Sequence, residues 1–238
     1  HMIKLILFDI DNTLAKPNQP VNESIVQKLK LIESQRIRIG LISGKPACYV
    51  GGFARQLGLK ETIIIGENGA TIYYSQEFPP KKEIKMIDKN DEEEYLLLRK
   101  SLKNRAIEKY GDSIWFQPNE INLTIFPKKI SKHILKEIKS FFQENLGDKK
   151  KNVSLYEYSD SVEVVPKKIN KGIAFKKILE LEKIKKENTI TVGDNENDIP
   201  MLKESGLSIG INLTQADNVF ATIDKAIDYI LSKIDIHN

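Results

Sequence analysis

Ile3-Lys4-Leu5-Ile6-Leu7-Phe8 is an almost unbroken apolar run that ends in acids, the pattern of a strand buried on both faces, as in a parallel sheet. Asn22 can cap a helix in which Ile25, Leu29 and Ile32 fall on one face at i, i+4 and i+7. The pattern continues with a strand from Ile37 to Ile42, a helix that starts near Pro46 and stops at Gly58, and a strand from Thr62 to Ile65. Strand alternating with helix predicts right-handed crossovers and an α/β fold built on a doubly wound parallel sheet. In such a sheet ligands bind at the carboxyl ends of the strands.

After Pro79-Pro80 the period changes. Glu92 to Lys109 reads as a helix with Tyr95, Leu98 and Leu102 inward, followed by strands at Ser113 to Gln117 and Ile121 to Phe126. Ile130 to Asn145 reads as a second helix, and Val153 to Tyr158 with Ser161 to Val165 as a hairpin turning at Ser159-Asp160. Helix followed by paired strands, twice over, predicts an α+β domain at 80–165, inserted into a core domain made of 1–79 and 166–238. The parallel-sheet pattern returns with a helix from Lys171 to Leu181, a strand from Thr189 to Val192, a helix after Asn197 and a strand from Leu207 to Ile211.

Composition narrows the chemistry. The chain has 238 residues, 40% hydrophobic and 29% charged, with a formal net charge of +4. No apolar run reaches the roughly 18–20 residues of a membrane helix, and the first apolar stretch is too short for a signal peptide, so a cytoplasmic protein with no membrane partner is expected. The single cysteine, Cys48, excludes an internal disulfide and a cysteine zinc site, and is expected to pack near the loop after Ser43. His1-Met2 reads as a vector-derived addition, which leaves His133 and His237. A chain this poor in histidine argues against a Ser/His/Asp triad, so carboxylates and lysines must carry the chemistry. The lysine runs at 149–151 and 167–168 are interspersed with glutamates and joined by no nucleic-acid motif; they read as solvated faces.

Asp9-Ile10-Asp11-Asn12-Thr13-Leu14 stands where the first strand ends. A carboxylate there protrudes from the carboxyl edge of the sheet, and a second one two residues later can exchange protons with the same ligand. Two carboxylates so close repel one another unless a cation such as magnesium lies between them. An isolated Asp-x-Asp is as readily a solvated turn; the second acidic cluster decides between the two. Gly193-Asp194-Asn195-Glu196-Asn197-Asp198 follows another apolar strand, and the spacing of Asp194 and Asp198 lets both face one point if a helix begins between them. Ser43 and Gly44, in Leu41-Ile42-Ser43-Gly44-Lys45, end the second strand, where a hydroxyl and backbone N–H groups can hold phosphate oxygens. Lys171 opens a helix and would set an ammonium against phosphate and carboxylate together.

These four stretches, in this order, resemble the haloacid dehalogenase superfamily of phosphatases over nearly the whole chain. The match is to the branch with a C2-type cap inserted between the second and third motifs. Glu67-Asn68-Gly69-Ala70 and Asn197-Asp198-Ile199-Pro200-Met201 are similar to loops of the archaeal-type phosphoglycolate phosphatases and the Cof-like sugar phosphatases beside them. One departure is Asn12, where glycine is commoner and asparagine tolerates the turn. The resemblance implies a magnesium-dependent phosphomonoesterase acting on a small phosphorylated metabolite, as monomer or homodimer. In it Asp9 is the nucleophile, Asp11 the acid and base, Ser43, Gly44 and Lys171 the phosphate binders and Asn68 a substrate-loop residue. Asp9, Asp11, Asp194 and Asp198 are the metal set. A phosphomutase of the phosphomannomutase type is the alternative. Glu163 and Asp160, on the hairpin of the inserted domain, read as packing or solvent residues, and His133 as a helix-surface residue.

Overall fold

The structure is a computed structural model that describes residues 2–234; His1 and His237 lie outside them. The chain divides into two compact units, one made of His1–Ile84 and Asn170–Asn238 and the other of Lys85–Ile169. Among the described residues, no helix is long and apolar enough to cross a membrane.

The first unit begins with strand β1 (Leu5–Asp9), helix α1 (Glu23–Ser34), β2 (Arg38–Ile42), α2 (Ala47–Gln56), β3 (Ile63–Gly66), β4 (Thr71–Tyr74) and β5 (Lys82–Lys85). The second unit holds α3 (Lys89–Tyr110), β6 (Ile114–Phe116), β7 (Leu123–Pro127), α4 (Lys132–Leu146), β8 (Val153–Glu157) and β9 (Val162–Pro166). The first unit resumes with α5 (Lys171–Glu182), β10 (Thr189–Gly193), α6 (Ile199–Leu202), β11 (Leu207–Ile211), β12 (Asn218–Phe220) and α7 (Ile223–Leu231).

The large sheet runs β12-β11-β10-β1-β2-β3-β4-β5. Pairing is parallel from β12 through β3, so the chain winds outward from β1 in both directions. The crevice at the carboxyl end of β1 is therefore the place where strand order reverses, and where a doubly wound sheet accepts ligands. Side chains alternate along β1: Ile6 and Phe8 join a core with Leu29 of α1, Val50 of α2 and Ile227 of α7. Asp9 has the parity of Leu5 and Leu7 and so belongs to the opposite face of the sheet.

β4 departs from the all-parallel expectation: it returns antiparallel on β3, with Ile65 opposite Ile72 and Gly66 opposite Thr71. Two β-rich runs joined across Asn68-Gly69 are a hairpin signal, and Asn68 and Gly69 both take positive φ in the connection. The helix after Asn197 is a single turn, begun by a 3-10 segment over Glu196–Asp198.

In the second unit the sheet order is β6-β7-β9-β8, antiparallel throughout. On β7 and β9 the pairs Leu123 with Val164 and Ile125 with Val162 share one face, and Thr124 with Glu163 the other. Glu163 is buried there, accepting from Asn122 Nδ2 and Thr124 Oγ1 at 3.1 Å and from the Tyr158 hydroxyl at 3.2 Å. Asp160 accepts from Ser161 Oγ at 2.8 Å in the turn of the hairpin. Lys149 pairs with Glu94, and Lys168 lies 3.5 Å from Asp91. His133 is exposed on α4.

Candidate active site

Asp9 is the last residue of β1, pinned by a strand buried along its whole length, and is itself only 6% exposed. Lys171 stands opposite, at the first position of α5, which Asn170 caps by accepting from the Ile173 N–H at 2.9 Å. A cation at a helix N-terminus runs against the helix dipole, at a cost of about 0.3–1 kcal/mol. The offset is direct: Lys171 Nζ lies 2.6 Å from Asp9 Oδ1 and 2.5 Å from Asp198 Oδ1.

Asp198 is fully buried and is held from behind. Its Oδ2 accepts from the backbone N–H of Asp194 at 2.9 Å and of Asn195 at 3.0 Å, so the turn after β10 wraps around its carboxylate. Gly193 makes this wrap possible, because a Cβ there would come within 2.6 Å of the Asp198 carboxylate. Asp194 points back toward β1, and Thr13 Oγ1 donates to its Oδ1 at 2.9 Å across 181 positions of sequence. Carboxylate oxygens of Asp9, Asp194 and Asp198 lie within 4.8 Å of one another.

One ammonium does not balance three carboxylates in a buried site. Burial pushes the Asp9 carboxyl well above the usual carboxylate range; Lys171 counters this in part, while Asp198 and Asp194 reinforce it. Asp194 is also raised, by burial and by Asp198, against the Thr13 hydrogen bond and Lys171. Burial alone would lower the Lys171 pKa, but the charges of Asp198 and Asp9 overcome it and hold the ammonium above its ordinary value. The donor set is all oxygen, crowded and left with surplus negative charge, which fits a hard divalent cation of the magnesium kind.

Asp11 is half-buried just past Asp9, in a turn where it bridges to Ala15 and Asn12 takes φ 62°, the left-handed conformation asparagine tolerates. Its charge, after burial, helps raise the Tyr49 hydroxyl on α2. Ser43 follows Ile42, the residue paired with Asp9, and its Oγ accepts from the Lys45 N–H at 3.1 Å. The loop after β3 is clamped to it: Asn68 N–H donates to Ser43 O at 2.9 Å and Glu67 N–H to Lys45 O at 2.8 Å. Asn68 in turn accepts on Oδ1 from Asn197 Nδ2 at 3.2 Å. The structure thus brings Asp9, Lys171, Asp194 and Asp198 into one contact network, and Ser43, Gly44 and Asn68 into another at neighbouring strand ends.

Thr13 and Asn197 stand inside the motifs quoted from the sequence but were given no role there. Cys48 corrects the sequence reading: it is exposed, because the buried stripe of α2 is Ala47, Val50, Gly51 and Ala54, and Cys48 falls off it.

The family model for haloacid dehalogenase-like hydrolases matches residues 6–120 and 87–227. The phosphoglycolate phosphatase of Staphylothermus marinus is 28% identical over 216 residues, covering 88% of this chain and 85% of that one. That of Methanopyrus kandleri is 27% identical over 240 residues, covering 95% and 91%. Among solved structures, a protein of Thermoplasma acidophilum superposes with a TM-score of 0.75 at 17% identity over 100% of both chains. A haloacid dehalogenase-like hydrolase from Bacteroides thetaiotaomicron gives 0.71 at 18% identity, over 96% of this chain and 99% of that one. Those two likenesses concern the fold, and the family match runs through both acidic clusters: the chain belongs to the haloacid dehalogenase-like hydrolases, as an enzyme of the phosphatase kind.

Proposed function

We propose that the protein is a magnesium-dependent phosphomonoester hydrolase that acts on a small phosphorylated metabolite through an aspartyl phosphate at Asp9. The observation that carries this reading is the buried bridge of Lys171 between Asp9 and Asp198, beside Asp194, at the carboxyl ends of β1 and β10.

Lys171 holds Asp9 by Oδ1, which fixes the carboxylate plane and leaves attack on phosphorus to Oδ2. As that oxygen bonds to phosphorus, the bond to the leaving oxygen breaks, and Asp11, being half-buried and near solvent, gives the leaving alkoxide its proton. Asp11 then takes a proton from the water that attacks phosphorus and returns Asp9 as a carboxylate. Ser43 Oγ, the Gly44 N–H and the Lys171 ammonium hold the phosphoryl oxygens while charge shifts among them. Asp9, the Asp11 backbone carbonyl and Asp194 would hold magnesium, with Asp198 supporting the set through Lys171 and the turn amides. The ion, when bound, supplies the positive charge this acidic site lacks.

A panel of phosphorylated metabolites assayed for released phosphate tests the proposal, with phosphoglycolate first, since it is in the names of the relatives, and hexose phosphates beside it. Magnesium-dependent release from at least one supports the reading. Conversion of a sugar 1-phosphate to its isomer with no free phosphate contradicts it. A chelator should silence turnover; magnesium should restore it and calcium should not, because calcium's looser and larger coordination disturbs in-line geometry.

Thr13 orients Asp194 through a single hydrogen bond. Removal of such a support costs about 10- to 100-fold in metal affinity. Thr13→Val should therefore raise the magnesium concentration for half-maximal activity by that factor with little change in the rate at saturating magnesium, as a magnesium titration will read.

A further inference from the structure

The first turn of α5 is closed in on two sides by main chain. On one side a Cβ at Gly172 would fall 2.6 Å from Pro200 O, 2.7 Å from Pro200 C and 2.9 Å from Pro200 Cβ, so the turn lies directly on α6. On the other, a Cβ at Gly69 would fall 2.7 Å from Asn170 O and 2.9 Å from Ala174 Cβ. Asn170 fixes the turn itself, its Oδ1 accepting from the Ile173 N–H at 2.9 Å. Lys171 stands between Asn170 and Gly172 in the chain, and its Nζ reaches Asp9 Oδ1 at 2.6 Å and Asp198 Oδ1 at 2.5 Å. Pro200, on which Gly172 rests, is two residues past Asp198.

A methyl group at Gly172 would stand roughly 1 Å inside the separation at which nonbonded carbon atoms rest. Two of the three atoms it meets are backbone, which cannot swing aside as the end of a side chain does, and the contact with Gly69 denies α5 a retreat. The turn that carries Lys171 and the turn that carries Asp198 must then part, and the ammonium is drawn off one carboxylate or the other. A reacting group misplaced by about 1 Å can cost about 100-fold in rate. We propose that Gly172 is a positioning residue: by letting α5 rest on Pro200 it sets the spacing between Lys171 and Asp198, and with it the place of the ammonium against Asp9 and the phosphoryl group. This rests on the phosphatase reading of the site. It also separates Gly172 from an ordinary helical glycine, since alanine is the better helix former and would raise stability if packing were indifferent.

The test is Gly172→Ala, with kcat, KM and Tm read at saturating magnesium and the Kd for inorganic phosphate read by calorimetry on the magnesium-loaded protein. The kcat should fall about 100-fold with a smaller change in KM, because the displaced ammonium is missed most in the transition state. The phosphate Kd should rise about 10-fold, as one charged hydrogen bond weakens. In a Lys171→Met background the same substitution should change neither quantity further, because Gly172 acts through Lys171. If Gly172→Ala does not fold, Asn170 carries the test. Asn170→Ala loosens the same turn by removing its cap and should move kcat and Kd in the same direction, and Asn170→Ser, which keeps a cap, should stay near the parent. A parental kcat in Gly172→Ala with a raised Tm would overturn the inference and leave Gly172 an ordinary helix position. Losses that multiply with those of Lys171→Met would overturn it too. A parent that binds phosphate but hydrolyses no phosphoester would overturn the proposed function, and the phosphate titrations of Gly172→Ala, alone and with Lys171→Met, would still decide the role of Gly172.

Discussion

Asp9→Asn should lower turnover by at least about 10⁴-fold, the scale on which loss of a nucleophile is felt, while the fold survives. An amide of the same shape cannot attack phosphorus, yet Lys171 keeps Asp198 as a partner at 2.5 Å. Stability should move the other way. The folded state raises the Asp9 pKa, so the folded protein binds a proton there more tightly than the unfolded chain does. That effect favours folding at low pH and is lost as pH rises through the raised value, where the buried charge becomes a cost. In the presence of a chelator, Asp9→Asn should therefore match the parent near pH 4 and unfold at a higher temperature than the parent near pH 7.5. Near-parental hydrolysis by this variant would remove Asp9 from the role of nucleophile, and a lower Tm at neutral pH would contradict the charge account.

Lys171→Met should have the largest effect on stability. The ammonium is 2% exposed, and its removal leaves Asp9 and Asp198 facing each other with Asp194 alongside. Breaking a buried pair by removing one partner costs about 3–5 kcal/mol. In a chain of this size that corresponds to a fall in Tm of about 6–20 °C. Two further readings separate this from a packing defect. The loss should shrink as the pH is lowered, since the raised pKa lets Asp9 take up a proton and a neutral carboxyl no longer needs the cation, and magnesium should recover part of it. A Tm deficit that ignores both pH and magnesium would mean that the methionine merely packs badly.

What the sequence made legible follows from where the physics is local. β1 and the strands on either side of it are buried runs that end in or just before residues whose chemistry differs sharply from the run itself, which is why Asp9, Ser43 and Asp194 could be named from spacing. Asn22 and Gly58 marked helix ends by short-range rules. β4 was missed because the pattern was followed only to Ile65 and the stretch before Pro79 was given no element, although Asn68-Gly69 is a turn signal. Thr13 and Asn197 were out of reach for a different reason. Their partners lie 181 and 129 positions away, and a threonine in a turn or an asparagine in an acidic cluster has ordinary local uses. Asp198 was legible as an acid, but its tie to Lys171 and to the turn amides depends on how β10 and α5 pack.

The account stands on a phosphoryl group passing through Asp9. The most direct measurement is to quench the enzyme in acid during turnover of its best substrate, reduce with borohydride, and map residue 9 by mass spectrometry. An aspartyl phosphate is reduced to homoserine, so the prediction is homoserine at position 9 in the parent, dependent on both substrate and magnesium. Unmodified aspartate at position 9 in a working enzyme, with the label at another residue or at none, would contradict it.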